Sequence, residues 1–107
     1  MARILLAWEL GGEYGHLMRF HALARELKRR GHEPVFAIRN LTFVETIFRG
    51  EPFTIFQAPV WMGRVTGLPP SIGFAETLMR FGFFHPDALT GVCRAWRTLV
   101  DAVRPDL

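Results

Sequence analysis

The sequence holds a single cysteine, Cys93, so no intramolecular disulfide can form and a thiolate metal site has no second sulfur. That usage fits a reducing cytoplasm. Cys93 itself lies among apolar neighbours at helical spacing and reads as a core position. Long apolar runs are also missing. None approaches the roughly 20 residues that cross a bilayer, and Glu9 cuts the N-terminal run too short for a signal-peptide core. A contiguous basic stripe is absent too: the formal charge is +3, but the arginines are scattered. The one compact run, Lys28-Arg29-Arg30, falls in the last turn of a predicted helix, where cations favour the negative end of the dipole. Nucleic acid is therefore not an expected partner.

What remains is the composition of a folded domain, half of it hydrophobic and about a fifth charged, which excludes a disordered tail. Residues 4–8 form an apolar run of the kind buried on both faces of a parallel sheet. After Gly11, Gly12 and Gly15, apolar residues recur at Leu17, Phe20, Leu23 or Ala24, and Leu27, predicting a helix that Gly31 stops. Residues 34–39 read as a second strand. Asn40 then caps a helix that carries Phe43, Val44, Ile47 and Phe48 up to Gly50. Residues 53–58 give a third strand, bracketed by Pro52 and Pro59.

Residues 61–73 break the pattern with Gly63, Gly67, Pro69, Pro70 and Gly73. This is a long loop, with Trp61 and Met62 expected at the surface. A short helix over 74–84 and a longer one over 88–104 follow, the latter opened by Pro86 and striped with Leu89, Val92, Cys93, Trp96, Leu99, Val100 and Val103. The alternation predicts an α/β fold: a Rossmann-like parallel sheet with flanking helices, three strands of it within 1–107. Pro105-Asp106-Leu107 stand where a fourth strand should begin, so the expected domain is truncated.

The turn between the first strand and first helix, Trp8-Glu9-Leu10-Gly11-Gly12-Glu13-Tyr14-Gly15-His16-Leu17, is the most informative segment. In doubly wound sheets it lies at the carboxyl edge, where ligands bind, and glycines there let a ligand approach the backbone. A dinucleotide site fits poorly. Aligned on Gly12 and Gly15, the G-x-G-x-x-G fingerprint puts Leu10 in place of its first glycine, and Glu13 brings negative charge toward a pyrophosphate. The second strand ends in Arg39-Asn40 rather than in a ribose-binding acid, although an arginine there could serve a 2′-phosphate. No cofactor or metal is expected. His16 opens the helix, where the dipole's positive end favours the neutral imidazole that a general base requires.

Gly11-Gly12-Glu13-Tyr14-Gly15-His16-Leu17, then Leu23-Ala24-Arg25-Glu26-Leu27, then Arg30-Gly31-His32-Glu33-Pro34-Val35 resemble the opening of GT-B glycosyltransferases of the UDP-glycosyltransferase and macrolide-glycosyltransferase kind. The resemblance is specific over roughly the first 40 residues. It implies two Rossmann-like domains facing across a cleft, a C-terminal one holding the nucleotide-sugar donor and an N-terminal one holding a small-molecule acceptor. The donor-binding domain is absent from residues 1–107, so a further domain or a partner chain is implied, and these residues alone are expected to be inactive.

The resemblance makes His16 the candidate base that deprotonates an acceptor hydroxyl. Gly12, Glu13, Tyr14 and Gly15 become candidate acceptor contacts, as do Trp61 and Met62 in the variable loop. Glu13 and Tyr14 read equally well as solvated loop residues. His32 reads as structural, His21 as boundary packing and His85 as a cap for the last helix. A phosphorelay receiver is excluded, because Gln57-Ala58-Pro59 closes the third strand where an aspartate is needed. The competing class is a non-catalytic small-molecule or protein binding module on the same scaffold, which would not depend on His16.

Overall fold

The computed structural model describes residues 1–10 and 14–107, and Tyr14 by its backbone alone. The chain is a mixed α/β protein. Its order is β1 (Arg3–Trp8), α1 (Tyr14–Arg29), β2 (Glu33–Ile38), a 3₁₀ turn (Leu41–Phe43) running into α2 (Val44–Phe48), β3 (Thr54–Gln57), α3 (Phe74–Arg80) and α4 (Pro86–Val103). The strands form one parallel sheet in the order β1-β2-β3, with Leu6 opposite Phe36 and Phe36 opposite Ile55. Parallel neighbours cannot be joined by a tight hairpin, and α1 and α2 supply the two crossovers.

Period-two alternation sends Ile4, Leu6, Phe36, Ile38 and Ile55 to one face of the sheet, where they meet Leu17, Phe20 and Ala24 of α1 and Val44, Ile47 and Phe48 of α2. The helical spacing left Leu23 and Ala24 as alternatives; Ala24 is fully buried and Leu23 faces solvent. Phe36, Phe48 and Phe53 pack as a triangle of rings with centroids 4.9, 5.5 and 5.5 Å apart. The rings of Phe36 and Phe48 are fully buried, worth about 1.5–3 kcal/mol each by area.

The segment ends follow local chemistry. At the end of α1, Gly31 N–H donates to Lys28 O and His32 N–H to Leu27 O, both at 3.0 Å, the paired bonds of a Schellman stop. Asn40 Oδ1 accepts from Thr42 N–H at 3.0 Å and so caps the 3₁₀ turn rather than α2 itself. Pro86 occupies the first turn of α4, and His85 Nδ1 accepts from Ala88 N–H at 3.2 Å. On the outer edge of β1, Leu5 N–H donates to Leu107 O at 2.8 Å and Asp106 N–H to Arg3 O at 2.7 Å. Residues 106 and 107 thus pair with β1 on the side away from β2.

The second face of the sheet is less completely covered. Of β1 only Leu6 is buried, and Ala7 is exposed, so the apolar run 4–8 is not enclosed on both sides as the sequence suggests; β2 is, with Val35, Phe36, Ala37 and Ile38 all buried. The cause is the seating of α4. Its end is held, with Val103 buried and Arg3 Nη1 donating to Val103 O at 2.7 Å. Farther up the helix an open cleft separates Cys93 and Trp96 from Ala7 and Glu9. Cys93 is consequently exposed rather than a core residue, and the stripe of Leu89, Val92, Trp96 and Leu99 is only half-buried.

Candidate functional site at the carboxyl edge of the sheet

β1 ends at Trp8, and α1 begins at Tyr14. Gly11, Gly12 and Glu13 lie outside the described residues. His16 is the third residue of α1, half-buried, with its ring stacked on Trp8 at 4.1 Å between centroids and 28° between planes. Trp8 is on the α1 side of β1 at its carboxyl end, so the imidazole stands at the sheet edge above that strand. Among the described residues neither ring nitrogen of His16 has a hydrogen-bond partner, and Trp8 Nε1 is buried without one. Gly15 is helical, and a Cβ added to it would meet nothing within 4 Å. Among the described residues, packing does not require a glycine there and nothing crowds that side of the first turn of α1.

The other three histidines have local partners. His21 Nε2 is 2.8 Å from Glu51 Oε1, with its ring between those of Phe48 and Phe53. His32 Nδ1 accepts from Ala2 N–H at 3.1 Å, and His85 caps α4. The basic run is engaged as well. Arg29 and Arg30 bond the carboxylate of Glu26 at 2.7 and 2.8 Å, and Lys28 Nζ sits 5.2 Å from the centre of the Phe53 ring. The Arg29 and Arg30 guanidiniums hold the Glu26 carboxyl down at about 2.

Trp61 and Met62 part company. Met62 is exposed, but Trp61 is half-buried. The Trp61 indole meets Phe84 edge-on at 6.2 Å and lies over Gly82, which is buried with φ +86°. A Cβ on Gly82 would come 2.5 Å from Trp61 Cδ2, and one on Gly63 would collide with Cζ2 of the same ring. Trp61 therefore fastens the loop to the segment after α3. Among the described residues its ring contact is with Phe84 and not with Trp8 or His16.

The fold also builds something that the sequence pattern did not single out. A cleft of about 410 Å³ opens between the carboxyl end of β1 and α4, lined by Ala7, Glu9, Cys93 and Trp96. Glu9 reads in sequence as the end of an apolar run, and Trp96 as part of a core stripe; nothing local brings together residues so far apart along the chain. Beside the cleft, Arg39 follows β2 as Glu9 follows β1. Its Nη1 donates to Glu9 O at 3.3 Å, and its guanidinium carbon is 4.5 Å from the centre of the Phe81 ring. Burial lowers the pKa of Arg39, an effect partly offset by the charge of Glu9. Gln57 Nε2 donates to Arg39 O at 2.8 Å and to Ala58 O at 3.0 Å, tying the ends of β2 and β3.

Among the described residues no group of three or more His, Cys, Asp or Glu is placed to hold a metal ion, and no helix is long and apolar enough to cross a membrane. Comparisons with protein-family models, with curated proteins and with solved structures gave no match.

Proposed function

We propose that this chain is the acceptor-binding, N-terminal portion of a GT-B glycosyltransferase, built on a Rossmann-like sheet. The intact enzyme transfers a sugar from a nucleotide-diphosphate donor, held by a C-terminal domain or a partner chain, to an acceptor hydroxyl. The observation that carries this reading is His16: the one histidine without a hydrogen-bond partner among the described residues, in the first turn of α1, at the carboxyl end of β1. Support also comes from the sequence resemblance over roughly the first 40 residues, from the lack of crowding beside Gly15 among the described residues, and from the apolar cleft at the same carboxyl edge, on the other face of β1.

In the proposed reaction an imidazole nitrogen of His16 accepts the proton of the acceptor hydroxyl as its oxygen bonds to the anomeric carbon. The bond from that carbon to the diphosphate oxygen breaks, and the nucleoside diphosphate leaves with the electron pair. Trp8 stacked on one face of the ring limits its orientations. A positioned general base of this kind is worth about 10²–10⁴ in rate.

The stack also favours a second reading, in which His16 is a wall of a binding site and does no proton transfer. Two substitutions separate them. With the chain joined to a donor-binding domain, His16→Ala and His16→Phe should both lower kcat by about 10²–10⁴, although Phe preserves the ring against Trp8. Sugar transfer by His16→Phe at the unsubstituted rate would eliminate the base role and leave the binding module.

A further inference from the structure

Among the described residues, Arg39 is a cation without a matching anion. It follows β2 as Glu9 follows β1; since Ala7 stands opposite Ala37 in the register, the two side chains extend the face of the sheet that looks toward α4. The guanidinium is half-buried and lies on the Phe81 ring at 4.5 Å. Of its five N–H donors, the structure assigns one, Nη1, to Glu9 O at 3.3 Å, and among the described residues no carboxylate oxygen lies within 4.0 Å of it. Withdrawing a charge from water is costly unless hydrogen bonds or a counter-charge replace the water. The ring contact covers a face of the guanidinium and leaves its edge, the part that matches a two-oxygen anion, available.

The neighbouring cleft supplies the rest of a recognition site. Ala7, Cys93 and the Trp96 indole line a space of about 410 Å³, within the range of small-molecule pockets and ample for a single ring. Glu9 works against an anion. Its main-chain oxygen occupies one donor of Arg39, and its carboxylate attracts the same cation without closing an ion pair. The resulting site has an apolar floor and one carboxylate that moderates affinity, with the Arg39 guanidinium adjoining that lining through its bond to Glu9.

We infer that Arg39 is the anion-recognising residue of the cleft between β1 and α4, and that the ligand taken there is a small ring compound bearing a carboxylate. The inference rests on reading this cleft as the acceptor site, and adds to it the class of acceptor.

The test is a titration of the 107-residue protein with sodium benzoate, benzyl alcohol and inorganic phosphate at fixed ionic strength. It is followed by the NMR shifts of the Trp96 indole N–H and the Arg39 Nε–H. Benzoate is expected to bind at least about tenfold more tightly than benzyl alcohol, a difference of about 1.4 kcal/mol, and more tightly than phosphate. Arg39→Gln should abolish that preference while leaving benzyl alcohol binding unchanged. Arg39→Lys, which keeps the charge but loses the planar fork, should retain part of it, and Glu9→Gln should strengthen benzoate binding. Equal binding of benzoate and benzyl alcohol, or no binding of either, overturns the inference, as does a benzoate preference that survives in Arg39→Gln. Phosphate binding as well as benzoate refutes the ring-carboxylate class. Should Arg39→Gln fail to fold, as read from the amide spectrum, Arg39→Lys and Glu9→Gln decide: a benzoate preference that neither changes overturns the assignment. None of these readouts uses sugar transfer, so failure here and failure of the glycosyltransferase reading, tested through His16, are separately visible.

Discussion

Replacing Gly82 by alanine tests whether Trp61 is a structural anchor or a ligand contact. Two penalties add at this position. The first is conformational: at φ +86° a residue with a Cβ is strained by roughly 1–2 kcal/mol. The second is steric, because the new methyl would lie 2.5 Å from Trp61 Cδ2 and 2.8 Å from Cγ and Cε3. Those atoms belong to the root and body of the indole rather than to a flexible tip, so relief requires the whole ring or its backbone to shift. Overpacking of this kind costs about 1–3 kcal/mol. The sum is about 2–5 kcal/mol, a large part of the roughly 5–15 kcal/mol that holds a domain of ordinary stability.

Gly67 provides the control, since it has φ +79° with nothing within 4 Å of an added Cβ, so alanine there incurs only the first penalty. The measurement is urea unfolding of both variants, followed by tryptophan fluorescence and by circular dichroism so that local release of the loop is distinguished from global loss. A Gly82→Ala protein no less stable than Gly67→Ala, with an unmoved Trp61 indole signal, would refute the packing argument. Adding Trp61→Ala to Gly82→Ala should recover the steric part and leave the conformational part.

Gly15→Ala should stabilise the chain by roughly 0.5–1 kcal/mol, because alanine favours the helix and nothing crowds the position. If the space beside it receives acceptor, the same change weakens acceptor binding, whereas a variant both less stable and unaffected in binding contradicts that placement. Glu26 has its folded pKa depressed to about 2 by Arg29 and Arg30, so its contribution is present above its unfolded value near 4.5 and is lost as pH falls from there through about 2. Carboxyl titration by NMR at low salt should find it ionised well below the ordinary carboxylate value. High salt should erase part of the depression, since the ion pairs are open to solvent.

The parts of the fold legible in the sequence were those set by local rules. The apolar period put Leu17 and Phe20 on the core face of α1, Pro86 opened α4, and the alternation of strand and helix signals gave a parallel sheet. Periodicity says which residues share a face, however, and not how closely that face is covered. Cys93 belongs to the stripe of α4 and is exposed, because that helix meets the sheet at Val103 and leaves a cleft farther up. The same limit hid the cleft itself. Glu9, Arg39, Phe81 and Trp96 carry no shared motif and come together only when the sheet edge and α4 are assembled. The place of His16 in the first turn of α1 was legible because helix starts are cued locally, whereas Trp61 looked available because no short-range signal announces Gly82 beneath it.

The outer rim of β1 has a consequence for handling the protein in solution. Glu33 N–H donates to Ala2 O and Arg39 N–H to Trp8 O, so the even-numbered peptide groups of β1 serve β2, and the odd-numbered ones look outward. Leu107 satisfies the amide of Leu5, and among the described residues the peptide groups of Ala7 have no hydrogen-bond partner. Outward-facing peptide groups of an edge strand pair readily with extended backbone, so a sample of residues 1–107 should associate strand to strand when concentrated unless a further strand covers that side.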